Sequence, residues 1–144
     1  MENRNGLAGK DIVTQATGTA EREASEEMLA ENASATQRST AGMDKAYDVK
    51  EHVERVRAKT ITPPVAQHDT NRRSAIDGRT TRHPGYATSQ TCRKMVECIL
   101  GWGTQHGTRR KTKLRGTDNV AAHFLLNLIG YNLIRIPKLL PGTG

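Results

Sequence analysis

The sequence predicts a mixed α/β fold with a thin core, on three observations. Stretches with apolar residues at helical spacing alternate with short stretches of strand character. Val, Ile, Leu and Phe total 25 of 144 residues, few enough that a charged chain builds only a modest core. Eleven of those 25 lie from Val120 onward, so the first two-thirds of the chain has the thinner supply. The length allows one domain or part of one.

Asn5-Gly6 is a hairpin turn signal, with Asp11–Gln15 as the expected returning strand. Thr19 is placed to cap a helix running to about Asn32, with Glu21 and Glu23 in its first turn, where the helix dipole favours acids. Ala20, Ala24 and Met28 give that helix a shallow apolar face. Gln37–Met43 is expected as a strand ending at Asp44. Asp48 is expected to cap a second helix, with Glu51 three residues on and Val49, Val53 and Val56 as its stripe. Ile61–Ala66 follows as a strand, demoted by Pro63-Pro64 to an edge or broken one.

Residues 69–89 read as a long basic loop with turn pairs at Asp77-Gly78 and Pro84-Gly85 and with Arg72, Arg73, Arg79 and Arg82. The next helix, Arg93–Trp102, carries Cys92, Met95, Val96, Ile99 and Trp102 on one stripe and a lone carboxylate, Glu97. Beyond it, Arg109, Lys111, Lys113 and Arg115 alternate, so an extended chain would line them along one edge. A final helix, Asn119 to Arg135, is capped by Thr117 or Asp118, stopped by Pro137, and apolar enough to be expected buried.

Charge divides the chain. Residues 1–70 hold nine Lys/Arg and twelve Asp/Glu, net −3, whereas residues 71–144 hold thirteen and three, net +10. A basic half of this kind is the footprint of a phosphate-backbone binder, though a solvated basic surface reads the same way on charge alone. Cys92 and Cys98 point to different faces of one predicted helix and form no Cys-x-x-Cys, so neither a disulfide between them nor a zinc site is expected. A reducing, cytoplasmic setting is expected, with no signal peptide and no membrane partner. The apolar stretch 124–136 is interrupted by Asn127, Asn132 and Arg135 and falls short of a membrane span.

Six phrases then occur in a familiar order: residues 1–7 (MENRNGL), 16–24 (ATGTAEREA), 42–48 (GMDKAYD), 65–67 (VAQ), 72–86 (RRSAIDGRTTRHPGY) and 109–116 (RRKTKLRG). Together they resemble bacterial insertion-sequence transposases of the DDE type over nearly the whole chain. The resemblance implies an RNase H-like fold, a mixed sheet flanked by helices, in which two Asp and one Glu hold two Mg²⁺ or Mn²⁺ ions. Such hard cations favour carboxylate oxygens, and a pair of them clamps the attacking and leaving oxygens of a phosphoryl transfer on DNA.

Carried over by motif, Asp44 matches the family's second Asp and Glu97 its Glu, within the Arg93-x3-Glu97 signature. A capping role for Asp44 and an i,i+4 pair with Arg93 for Glu97 are the plain alternatives. The first Asp of the family has no counterpart in the sequence, and Thr104 stands where a Lys is usual. Residues 1–144 are therefore expected to be the C-terminal part of a catalytic domain, inactive alone. The competing expectation is a non-catalytic DNA-binding module in which Arg72, Arg73, Arg79, Arg82, Arg93, Arg109, Arg110, Lys111, Lys113 and Arg115 hold phosphates. DNA is the expected partner under both readings, with self-association through the last helix as a further possibility.

Overall fold

The computed structural model describes residues 1–2, 4–68, 70, 73–105 and 113–140, and the chain divides into two compact units. One comprises residues 16–93; the other combines residues 1–15 with 94–144. The class is α/β, rich in helix, with a two-stranded parallel sheet.

In the 16–93 unit, helix α1 (Ala20–Asn32) precedes strand β1 (Ser39–Thr40), a 3₁₀ turn (Lys45–Tyr47), helix α2 (Lys50–Ala58) and strand β2 (Ile61–Thr62). Ser39 pairs with Ile61 and Thr40 with Thr62, in parallel, and an isolated parallel bridge joins Met43 to Val65. Helix α2 is the crossover that a parallel pair requires. The ladder is brief for a legible reason. Ser39, Thr40, Ala41 and Gly42 offer little to bury, and Pro63-Pro64 lacks the N–H groups to continue it. The broken second strand agrees with the sequence reading, but the mixed sheet does not. The described strands are two and parallel, and Asp11–Gln15 forms no strand.

The core of this unit is Met43, Val53, Val56, Ile61, Val65 and Ile76, with Leu29, Tyr47, Ala75 and Tyr86 packed against it. Pro63 and Pro64 are also fully buried, and the Pro64 carbonyl accepts from Gln90 Nε2 at 2.9 Å. Gly42 permits the close approach of Ser89, whose Oγ would lie 2.5 Å from a Cβ built at that position.

Two capping assignments change in this unit. Thr19 precedes α1 but makes no side-chain cap; Thr17 Oγ1 accepts from Ala20 N instead, at 3.0 Å. Asp48 does not cap α2, whose preceding residue is Val49. Its carboxylate is 3% exposed and accepts from the backbone N–H of His68 (2.6 Å) and Ala75 (2.7 Å). Two distant N–H donors outcompete the local cap because they lie in a buried place where an unpaired donor costs more.

The stretch expected as a loop over 69–89 contains two helices, α3 (Gly78–Thr81) and α4 (Gly85–Cys92). Asp77 starts α3, its side chain accepting from Arg79 N at 3.0 Å. Pro84 starts α4 at φ −54°, already near helical geometry. Both turn pairs read from the sequence thus serve as helix starts.

In the other unit, Glu2 closes the first turn. Its backbone N–H donates to the Leu7 carbonyl, its carbonyl accepts from Gly6 N, and its carboxylate accepts from the N–H groups of Arg4 and Asn5. The Asn5 backbone N–H is the main reason the Glu2 carboxyl lies below its ordinary pKa. Gly6 sits at φ +70°, where a Cβ would also approach Met95 Cε to 2.9 Å.

Helix α5 (Lys94–Gln105) places Ile99 in the interior with Met95 and Trp102 half-buried, while Val96 of the expected stripe is exposed. Helix α6 (Thr117–Arg135) leads into a 3₁₀ turn (Pro137–Leu139). Asn132 exchanges two hydrogen bonds with the backbone of Ala8, each 2.9 Å, and Arg135 Nε donates to Asn5 O at 3.0 Å. Tyr131 meets Trp102 edge to face at 5.8 Å.

The expectation that α6 is buried fails, since none of its residues is. Its apolar residues run around most of its circumference, and these partners engage one face only.

Candidate functional site

Asp44 follows directly on Met43, whose bridge to Val65 extends the parallel pairing, so it stands at the carboxyl end of the β1 segment. That end of a parallel sheet is where open α/β folds place their ligands. Its side chain is 72% exposed, and Oδ1 accepts from Lys45 N, starting the 3₁₀ turn. Arg93 Nη1 lies 3.7 Å from the same oxygen. Asp44 is therefore a capping acid in the structure, the role that the sequence reading had preferred for Asp48.

Glu97 lies in the first turns of α5, exposed, in the other unit. Among the described residues no three His, Cys, Asp or Glu side chains gather as a metal-holding group. Mg²⁺ and Mn²⁺ want near-octahedral oxygen sets. Asp44, with one oxygen engaged by a backbone N–H and a guanidinium beside it, does not supply that set by itself. Glu97 would have to join it for the two-ion site that the resemblance implies.

The basic residues fall into three situations. Arg73, Arg82, Lys113 and Arg115 are exposed, the last two on the approach to α6. Arg79 is 74% exposed but grips Asp77, Nη2 to Oδ2 at 2.7 Å and Nε to the same oxygen at 2.9 Å. Arg93 faces Asp44. Arg72, Arg109, Arg110 and Lys111 lie outside the described residues.

Asp77 is shared. Arg57 Nη2 donates to its Oδ1 at 2.9 Å and to Thr80 Oγ1 at 2.8 Å. The Arg79 side chain, then its N–H, then the charge of Arg57 hold the Asp77 carboxyl down at about 2. The Asp77-Gly78-Arg79 corner is thus fixed by its own charges, and one carboxylate between Arg57 and Arg79 leaves it a net positive charge.

Sequence reasoning missed one polar cluster. His52 is fully buried on α2; its Nδ1 meets Glu26 Oε1 at 2.7 Å, its Nε2 lies 3.3 Å from Met43 Sδ, and its ring tilts against Tyr47 at 5.4 Å. Glu26 also accepts from Arg55 Nε at 2.8 Å. Burial pushes the Glu26 carboxyl up, but the hydrogen bonds from Arg55 and His52 outweigh it and the net shift is downward. The signal was available. Val49, His52, Val53 and Val56 complete the i, i+3, i+4, i+7 pattern of a buried helix face. This cluster ties α1 to α2, so its role is to hold the frame that presents Asp44.

No protein-family model, no curated protein and no solved structure matches this chain. Among the described residues no helix is long and apolar enough to cross a membrane.

Proposed function

We propose that this chain is part of the catalytic domain of a DDE-type insertion-sequence transposase, of incomplete RNase H-like fold, and that alone it binds DNA without cutting it. The observation that carries the reading is the position of Asp44 at the carboxyl end of a parallel β–α–β unit, followed in sequence by a helix bearing Glu97. That order is the one the transposase resemblance implies. The net +10 of residues 71–144 supports DNA as the partner, because neutralising phosphates releases counterions whatever the base sequence.

Inactivity is expected because the sequence offers counterparts for only two of the three acids that the resemblance implies. Loss of one member of a catalytic group commonly costs several orders of magnitude. Strand nicking of supercoiled DNA in Mn²⁺ tests this directly: the expected result is no cleavage above background. Metal-dependent cleavage that Asp44→Ala or Glu97→Ala abolishes would sink the inactive reading and leave an enzyme.

A second reading, a non-catalytic basic DNA-binding module, is favoured by the engagement of Asp44 with Lys45 N and Arg93. It predicts DNA affinity indifferent to Mn²⁺ and to Asp44→Ala. The transposase reading predicts that Mn²⁺ alters binding and that Asp44→Ala removes the alteration.

A further inference from the structure

The turn at Asp77-Gly78 sits among three guanidinium groups, more than the capping of α3 needs. Asp77 Oδ1 accepts from Arg79 N at 3.0 Å, which is the cap, and also from Arg57 Nη2 at 2.9 Å. Its Oδ2 takes Arg79 Nε at 2.9 Å and Nη2 at 2.7 Å. Arg57 reaches over from α2 and is fixed a second time by Thr80 Oγ1 at 2.8 Å. The third guanidinium, that of Arg82, lies over Gly78, where a Cβ would stand 2.8 Å from Arg82 Nη1 and 2.9 Å from its Cζ.

The charges of this corner do not cancel. Glu54, on α2, acts on Arg79 through its charge, so three guanidiniums face two carboxylates and one positive charge is left over. Donors are left over as well. Asp77 uses Nε and Nη2 of Arg79, and Asp77 and Thr80 use Nη2 of Arg57, so Nη1 remains on both. Arg79, 74% exposed, presents its share to water.

We propose that Asp77 is a positioning residue, which holds Arg57 and Arg79, with Arg82 beside them, as a preset fork for one phosphodiester of duplex DNA. The proposal rests on the DNA reading and deepens it, since Arg57 is not among the cations read from the sequence. A phosphodiester suits the corner because it carries one negative charge and two non-bridging oxygens, which planar guanidiniums address in pairs. The part of the carboxylate is to hold the arginines in advance. An arginine loses rotamer freedom when it seizes a phosphate, and a side chain already held by Asp77 has less left to lose. The consequence runs against charge alone. Removing an acid from a surface that binds DNA ordinarily tightens binding, whereas removing this one is expected to weaken it.

Fluorescence anisotropy of the full chain on a labelled duplex, over a range of salt concentrations, tests the assignment. Asp77→Asn is expected to weaken binding about five- to tenfold. It is also expected to lower the slope of log affinity against log salt by about 1 to 2, a change that a merely misfolded fraction does not produce. Glu54→Gln removes an acid that acts on Arg79 by charge, and is expected to bind at least as tightly as the wild type. Should Asp77→Asn fail to fold by circular dichroism, Gly78→Ala decides by the same measurement. Its methyl displaces the flexible end of Arg82 and is expected to lower the slope by about 1. Asp77→Asn that binds as tightly as the wild type, or a slope unchanged in the variant that decides, overturns the proposal and leaves the DNA reading standing. A wild type that does not bind the duplex overturns both.

Discussion

The two units of this chain use apolar residues in opposite ways. The 16–93 unit is poorer in large aliphatic side chains, yet it holds the six-residue core and the buried polar groups Asp48 and His52. The unit that contains α6 has most of the large aliphatic residues and exposes Leu125, Leu126, Ile129, Leu133 and Ile134. Burial is decided by partners, not by content. A β–α–β unit with a helix against it can enclose even valines and prolines, whereas a helix with partners on one side leaves its other side in water.

The sharpest way to break this comparison is to attack a polar residue of the first unit. Asp48→Ala removes the acceptor for His68 N and Ala75 N and is expected to cost about 3–4 kcal/mol, since hydrogen bonds to a charged acceptor contribute about 1.5–3 each and both donors lose their partner. Chemical denaturation measures it. A cost under about 1 kcal/mol would mean that water replaces the carboxylate and the clamp is unimportant.

Next in size is a matched pair of truncations. Val56→Ala is expected to cost about 2 kcal/mol from a fully buried position, and Leu126→Ala at most about 0.5 at concentrations too low for self-association. Thermal melts that rank them the other way would place the stabilising core in the wrong unit. Glu26→Gln comes third, at about 1–2 kcal/mol, through weaker bonds to His52 and Arg55.

The smallest effect is a pH dependence. Asp77 titrates at about 2 in the folded chain against an ordinary 3.8, so its contribution is fully present above pH 3.8 and is lost as pH falls through about 2. Because its side chain is 44% exposed, solvent screens most of that contribution. Asp77→Asn is expected to flatten the acid limb of stability in that window, with a small loss of stability near neutrality and no change of slope there. An unchanged acid limb would show the corner to be solvated.

These contrasts also show which features the sequence could reveal. Period and punctuation were readable: α1, α2, α5 and α6 stand within a few residues of their expected limits, and Pro63-Pro64 breaks its strand as expected. Tertiary hydrogen bonds were not. Asp48 resembles a helix cap until His68 and Ala75 are brought to it from 20 and 27 residues away. Nor did the apolar pattern of α6 reveal its exposure, because a helix apolar nearly all round looks the same whether its second face meets protein or water.

Of the candidate site, the location of Asp44 at a strand end was readable, and its capping and its neighbour Arg93 were not. The short helices α3 and α4 escaped notice because Asp-Gly and Pro-Gly signal turns as strongly as they signal helix starts.

The proposal that the basic half of this chain holds DNA through phosphates is tested most directly by the salt dependence of duplex binding. With several cations neutralising phosphates, log affinity is expected to fall steeply and linearly with log salt concentration, by about 0.9 per phosphate contact, and equally for unrelated sequences. Arg73→Ala with Arg82→Ala is expected to lower that slope by about 2. An affinity that barely changes between low and moderate salt, or a slope indifferent to the loss of both arginines, would contradict it.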